Sequence, residues 1–287
     1  MSFAETVLLG AIAGSTIFLG LPLGRVKHVD DRLRVALAML SVGILAFIFM
    51  DVTKHGQEIV ETALGEFKSH KTGFAPVLGL FALLAVGFTA GTAGISAAER
   101  RLRRQRPLKP PLAGGDATAQ VGVEELAAYD AQKAAARRRS LQTGMTIALA
   151  IGLHNFAEGL AIGVSARAGA VSLATVLVVG FGLHNATEGF GIVGPLGEVR
   201  PSWSWLGLAG LIGGGPTFVG TVVGYQVHSE PLELCFYALA GGAILYVVGE
   251  IWTGMRRYGR RTLGLYMLAA GFLVGVATDL VVAYGGG

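Results

Sequence analysis

Eight long apolar stretches, almost free of charged residues, constrain the fold of this chain more than any other feature. Six of them contain no Asp, Glu, Lys or Arg, and the other two contain a single Glu each. Each stretch is close to the length that an α-helix needs to cross a bilayer. The stretches are residues 6–24, 35–50, 75–98, 140–166, 168–197, 201–229, 234–249 and 262–278. The sequence therefore predicts an all-α integral membrane protein with eight transmembrane helices in one domain, residues 1–287.

Composition agrees with this class and excludes others. The chain is 52% hydrophobic and 15% charged, which excludes an ordinary soluble domain. It contains one cysteine, Cys235, so an intrachain disulfide and a site built from several thiolates are both excluded.

The basic residues lie mainly on one side of the predicted membrane. The loops after helices one, three, five and seven contain 19 of the 23 Lys and Arg residues. By the positive-inside rule these loops face the cytoplasm and both termini face outside. The long loop between helices three and four, residues 99–140, is then cytoplasmic, and its second half, 120–139, is expected to form a surface helix. The positive charge thus reports topology and gives no reason to expect a nucleic acid partner.

Helices four and five contain the same six-residue pattern, His-Asn-x-x-Glu-Gly, which specifies four residues and recurs after thirty positions. We call these residues the tetrads: His154, Asn155, Glu158 and Gly159, and then His184, Asn185, Glu188 and Gly189. Ionisable side chains at membrane depth are costly, so they mark a functional site by default. A single histidine there would more often be a hydrogen-bonded packing residue, but the repetition on consecutive helices favours function.

The spacing within each tetrad indicates a metal site. His154 and Glu158 lie one helical turn apart and only about 40° apart around the axis. The same holds for His184 and Glu188. If the two helices pack antiparallel with these faces inward, two imidazoles and two carboxylates converge, a ligand set that suits Zn²⁺ or another first-row divalent ion. The two carboxylates would also neutralise one dication.

The tetrads, the eight stretches and the long third loop resemble the ZIP (zinc- and iron-regulated transporter-like) family of metal transporters. The resemblance implies a 3+2+3 inverted-repeat arrangement, with metal bound between helices four and five and carried into the cytoplasm by alternating access. By position, it implies that the transport ligands are His154, Asn155, Glu158, His184, Asn185 and Glu188. It also implies a metal-access role for Asp51 at the end of helix two, and a release role for Glu250 in helix seven.

Three features depart from the family pattern. Ala157 and Thr187 stand where the family usually has proline before the tetrad Glu, so the two helices are expected to be straighter. Gly215-Pro216 is the apparent counterpart of a Glu-Pro in helix six, which favours one transported ion over two. The long loop contains no histidine.

Other polar residues near the predicted outer face leave two interpretations open. They form either an acidic mouth that concentrates cations or ordinary solvated positions. They are His55, Glu58, Glu61, His228, Glu230 and Glu233. Asp279 is expected to be buried in helix eight.

The sequence therefore predicts a divalent metal transporter and no enzyme activity, with Zn²⁺ as substrate and Fe²⁺, Mn²⁺ or Cd²⁺ as alternatives. Two other functions stay open from the residues: an intramembrane zinc-dependent hydrolase and a metal-responsive membrane protein that does not transport. The Ala, Gly, Val and Arg bias is typical of a bacterial protein of the inner membrane. Glycines spaced four apart, such as Gly87 and Gly91, are more often faces for packing within a chain than dimer interfaces, so they indicate no oligomer, and a homodimer stays open.

Overall fold

The computed structural model describes residues 1–26, 30–103, 123–167, 171–226 and 229–284, and nearly all of them are helical. The α-helices in these residues are α1 Phe3–Ser15, α2 Ile17–Gly20, α3 Asp31–Lys68, α4 Ala75–Thr89, α5 Ile95–Arg103, α6 Val123–Arg167, α7 Val171–Val193, α8 Trp203–Gln226, α9 Glu230–Arg256 and α10 Arg261–Tyr284. Short 3₁₀ turns, Leu21–Arg25 and Gly194–Leu196, follow α2 and α7, and a π-helical segment, Ala90–Gly94, joins α4 to α5.

Most of the predicted membrane spans are confirmed as helices of sufficient length. Within the described residues, seven helical segments are long and apolar enough to cross a membrane. They are Phe3–Arg25, Asp31–Lys68, Ala75–Arg101, Ala127–Arg167, Trp203–Gln226, Glu230–Arg256 and Arg261–Val281. The remaining predicted span corresponds to α7, whose 23 residues extend about 34 Å. The all-helical membrane fold is therefore confirmed.

Two helices continue well beyond the bilayer thickness. The prediction that helix two ends at Asp51 is wrong, because α3 runs on to Lys68 and its 38 residues extend about 57 Å. The predicted surface helix at 120–139 is confirmed from Val123 onward, where it forms the first part of α6. Of the predicted loop 99–140, residues 104–122 lie outside the described part of the chain.

Two helices beside the tetrads are irregular near their middle. The first span breaks at Thr16, which separates α1 from α2, and the Thr16 hydroxyl donates to the carbonyl of Ala13. In α8 the irregularity is Pro216, which has no N–H to donate to the carbonyl of Ile212. Both irregularities change which main-chain carbonyls are available to neighbouring helices.

Glycines allow the helices to approach closely. A Cβ at Gly14 of α1 would overlap the carbonyl of Gly214 in α8, and one at Gly214 would overlap the carbonyl of Gly14. The glycines of the four-residue spacings also face neighbours in the same chain, since Gly87 and Gly91 lie against α9. Packing within the chain is thus confirmed for these two glycines.

Candidate metal site

The two histidines and the two glutamates of the tetrads meet where α6 and α7 pack together. His184 Nε2 lies 2.6 Å from Glu158 Oε1, so a side chain of each helix is in direct contact. His154 Nε2 lies 3.3 Å from the same Glu158 oxygen and 3.1 Å from Glu188 Oε1. Glu158 therefore bridges the two imidazoles, whereas the Glu188 contact described here is with His154.

Three of the four side chains are shielded from solvent, and the fourth, His184, is 11% exposed. His154 and Glu188 are 0% exposed and Glu158 is 5% exposed. Among the described residues, His154 Nδ1 and Glu188 Oε2 have no hydrogen-bond partner, and the contact of His154 Nε2 with Glu188 Oε1 does not have hydrogen-bond geometry. Buried polar atoms without partners are costly, which is the state expected of side chains whose partner is an ion.

The distances suit a small divalent cation. One ligand atom from each of His154, Glu158 and His184 lies within 4.8 Å of the others. Ligands that hold zinc tetrahedrally at about 2.0–2.2 Å are themselves about 3.3–3.6 Å apart. The contacts of His154 Nε2 at 3.3 and 3.1 Å are close to that spacing, whereas His184 and Glu158, at 2.6 Å, are within hydrogen-bond distance and would move apart to share an ion.

The tetrad asparagines fasten the two central helices to their neighbours. Asn155 Nδ2 donates to the carbonyl of Gly213 in α8 at 2.9 Å, and Asn185 Nδ2 donates to the carbonyl of Ala13 in α1 at 3.2 Å. Both asparagines are 0% exposed, and their side-chain oxygens have no hydrogen-bond partner in the part of the chain that the structure describes. The amide nitrogens thus serve packing, and the oxygens stay available as acceptors.

A cavity of about 740 Å³ leads to the tetrads from the end of the molecule where α3 extends past Asp51. Its lining includes Glu158 and His184 of the site together with Asp51 of α3. Asp279 of α10 also lines it, and that side chain is exposed, so the expectation of a buried Asp279 is wrong. The cavity gives the site a route to one side that is lined mostly by apolar side chains, with a few ionisable residues among them.

Some of the polar residues predicted at the outer face line this cavity. His55 and Glu233 do, whereas Glu58, Glu61 and Glu230 are exposed on the surface, and His228 lies outside the described residues. Tyr237 of α9 also lines the cavity, and its ring lies beside that of His55 with centroids 5.7 Å apart. Sequence reasoning missed Tyr237, although its position one turn after Glu233 was a usable signal.

Glu250 lies away from these residues. It is half-buried near the end of α9 and does not belong to the lining of the cavity. One turn earlier, the Tyr246 hydroxyl donates to the buried Glu99 at 2.6 Å. The release role for Glu250 therefore stays a prediction.

Position 215 does not face a neighbouring helix. A Cβ at Gly215 would meet no atom within 4 Å, whereas one at Gly213 or Gly214 would contact Ile17 of α2. Ala157 and Thr187 replace the prolines that the family usually has before the tetrad Glu. As expected from this replacement, α6 and α7 continue through these two positions without a break.

Comparison with known proteins gives the family. The chain is 30% identical over 273 residues to the zinc transporter ZupT of Corynebacterium glutamicum. That alignment covers 91% of this chain and 95% of the relative. The chain belongs to the ZIP family of metal transporters. No model in the family-model scan matches the chain.

Family membership settles the class of protein. The relative is a transporter, so the prediction of a membrane protein without enzyme activity is confirmed, and the hydrolase interpretation is set aside. The chain is a multi-pass membrane protein of a metal transporter family.

Proposed function

We propose that this protein carries Zn²⁺ across the bacterial inner membrane into the cytoplasm, through a site formed by the tetrads of α6 and α7. The observation that carries the proposal is the buried contact among His154, Glu158 and His184, with Glu188 beside it. The zinc transporter relative supports zinc as substrate.

The charge of the site favours a divalent ion. Two ionised carboxylates and two neutral imidazoles carry two negative charges, which one dication cancels in a region where uncompensated charge is costly. Imidazole and carboxylate together suit first-row transition metals rather than Mg²⁺ or Ca²⁺. Fe²⁺, Mn²⁺ and Cd²⁺ are competing substrates, and the donor set alone does not rank them against zinc.

The large cavity provides access to the site. Asp51, Glu233 and Asp279 line it, and carboxylates in a low-dielectric cleft raise the local concentration of cations. The basic loops are all at the opposite end in the predicted topology, so this cavity opens to the outside and both termini lie there. Metal enters from the cavity and leaves on the cytoplasmic side by alternating access.

Packing supports the 3+2+3 inverted repeat that the resemblance implies. A Cβ at Gly159 of α6 would overlap the carbonyl of Thr217 in α8, and one at Gly189 of α7 would overlap the carbonyl of Ile17 in α2. The tetrad asparagines bind carbonyls of the same spans that the tetrad glycines contact. Asn155 of α6 binds α8, the sixth span, and Asn185 of α7 binds α1, which together with α2 forms the first span. The first and sixth spans therefore have equivalent relations to the two central helices, as a two-fold relation requires.

Zinc flux into proteoliposomes tests the proposal. Wild type should take up Zn²⁺ saturably from the cavity side, and Glu158→Gln should abolish uptake without loss of folded protein. Glu66→Gln is the matched control, because it removes an exposed carboxylate of the α3 extension that is outside the cavity lining.

Two results would contradict the proposal. Normal zinc uptake by Glu158→Gln would show that the transported ion does not bind at the tetrads. Stoichiometric zinc binding without flux in wild type would leave a metal-responsive membrane protein instead of a transporter.

A further inference from the structure

Two arginines from different helices bind consecutive carbonyls of the segment that leads into α8. Arg25, the last residue of the 3₁₀ turn after α2, donates to the carbonyl of Pro201 at 2.6 Å. Arg137 of α6 donates to the carbonyl of Arg200 at 3.2 Å. Both guanidinium groups are therefore held at the start of α8, together with the side chain of Arg200 itself.

The positive charge of these three arginines is not balanced by acidic neighbours. Within the described residues, the ion pairs of the chain include none of Arg25, Arg137 and Arg200. Arg137 and Arg200 are exposed, and Arg25 is half-buried. A guanidinium has five N–H donors, and Arg25 and Arg137 each bind their carbonyl through a single nitrogen. Donors of both side chains are thus available to the oxygens of an anion.

A tryptophan places the arginines at the depth of lipid headgroups. Arg25 ends the first span and Trp203 begins the sixth, and these two ends face the cytoplasm in the predicted topology. The Arg25 guanidinium lies over the Trp203 ring, 4.9 Å from its centroid, and Trp203 is 63% exposed. Tryptophan is enriched at the membrane–water interface, where the phosphates of the lipids also lie.

An apolar surface with a notch continues from Trp203 toward the middle of the bilayer. Trp203, Gly207 and Leu211 follow at intervals of four residues, so they share one face of α8. Trp203 and Leu211 are 63% and 64% exposed, whereas a Cβ at Gly207 would meet no atom within 4 Å. Phe18 of α2 packs against Gly210, so the two spans that carry Arg25 and Trp203 are in contact beside this notch.

We propose that Arg25 and Arg137 bind the phosphate of an anionic phospholipid, and that one acyl chain of this lipid lies in the notch at Gly207. The charge of the arginines is complementary to the phosphate, and the exposed apolar face next to them favours a lipid over a soluble anion. Basic residues between transmembrane helices on the cytoplasmic side are suited to such headgroups. The headgroup would connect the first span, α6 and α8, whether or not the tetrads carry metal.

Lipid binding to the purified full chain tests the site. Native mass spectrometry in detergent measures the dissociation constants of phosphatidylglycerol and of phosphatidylcholine with the same acyl chains. Wild type should bind the anionic lipid roughly tenfold more tightly, and Arg25→Gln should remove that preference, since a hydrogen bond to a charged group is lost. Arg100→Gln is the matched control: it removes an exposed arginine that binds a carbonyl of its own helix, α5, and should leave both constants unchanged.

Filling the notch distinguishes a lipid from a soluble anion. Gly207→Leu should weaken phosphatidylglycerol binding roughly two- to fivefold through lost acyl-chain contacts, and should not change the binding of glycerol phosphate. Gly79→Leu is the matched control, because a Cβ at this exposed glycine of α4 also meets no atom within 4 Å. Glycerol phosphate that binds wild type as tightly as phosphatidylglycerol would identify a site for soluble anions and overturn the inference.

Three other results would also overturn it. They are equal affinities of wild type for the two lipids, an unchanged preference in Arg25→Gln, and an equal loss in Arg100→Gln, which would leave only a general attraction of charges. If Arg25→Gln fails to fold, Arg137→Gln decides, because Arg137 is exposed. None of these measurements involves zinc, so failure of the lipid site and failure of the proposed function are separate outcomes.

Discussion

Replacing Glu158 by Gln should weaken zinc binding more than any other isosteric change at the tetrads. Glu158 Oε1 lies 3.3 Å from His154 Nε2 and 2.6 Å from His184 Nε2, so it is positioned to share one ion with both histidines. The variant keeps the shape of the side chain but leaves a buried dication with only one neighbouring carboxylate. Breaking a buried charge pair in this way costs about 3–5 kcal/mol. That corresponds to roughly 10²- to 10⁴-fold weaker binding.

Glu188→Gln provides the internal comparison. The described contact of Glu188 is with His154 alone, at 3.1 Å, so this carboxylate is positioned to share an ion with fewer ligands. We therefore expect Glu188→Gln to weaken zinc binding less than Glu158→Gln does. Titration of the purified protein with Zn²⁺ against a fluorescent chelator measures both constants. Less than tenfold weakening by Glu158→Gln, or a larger effect of Glu188→Gln, would refute the bridging role of Glu158.

Two further predictions concern protons and packing. Histidine binds metal only when neutral, so zinc affinity should fall as the pH is lowered, and a zinc affinity that does not change between about pH 5.5 and 7.5 would argue against histidine ligands. Gly189→Ala should lower the free energy of unfolding by about 1–3 kcal/mol, because its methyl group would overlap the carbonyl of Ile17. Gly249→Ala meets no atom within 4 Å and should have little effect in the same unfolding assay; equal losses would contradict the packing argument.

The meeting of the tetrads follows directly from sequence. An i, i+4 spacing places His154 and Glu158 on one helix face, and membrane depth makes it costly to leave those groups without polar partners. The same argument applies to His184 and Glu188 on the next span. Helix geometry and the bilayer together therefore determine most of this cluster.

The attachments of the tetrad asparagines could not be predicted in the same way. They depend on the carbonyls of Ala13 and Gly213, which lie three residues before the break at Thr16 and before Pro216, respectively. Backbone carbonyls have no sequence signature of their own.

The error at Asp51 has a different cause. Hydropathy detects where the bilayer ends, but charged residues outside it still favour a helix, so α3 continues to Lys68. Asp279 was expected to be buried because its neighbours are apolar, yet α10 turns this residue toward the cavity. Apolar neighbours in the sequence do not distinguish a helix face that packs against another helix from one that lines a cavity.

X-ray absorption at the zinc K-edge tests the central claim, that the tetrads of α6 and α7 bind the transported metal, most directly. Wild type loaded with one zinc should show nitrogen and oxygen ligands at about 2.0–2.2 Å, including two imidazoles. His184→Ala should lose one imidazole, whereas His55→Ala, which removes a cavity histidine, should keep both. An imidazole count that is unchanged in His184→Ala, or one that falls in His55→Ala, would place the metal outside the tetrads.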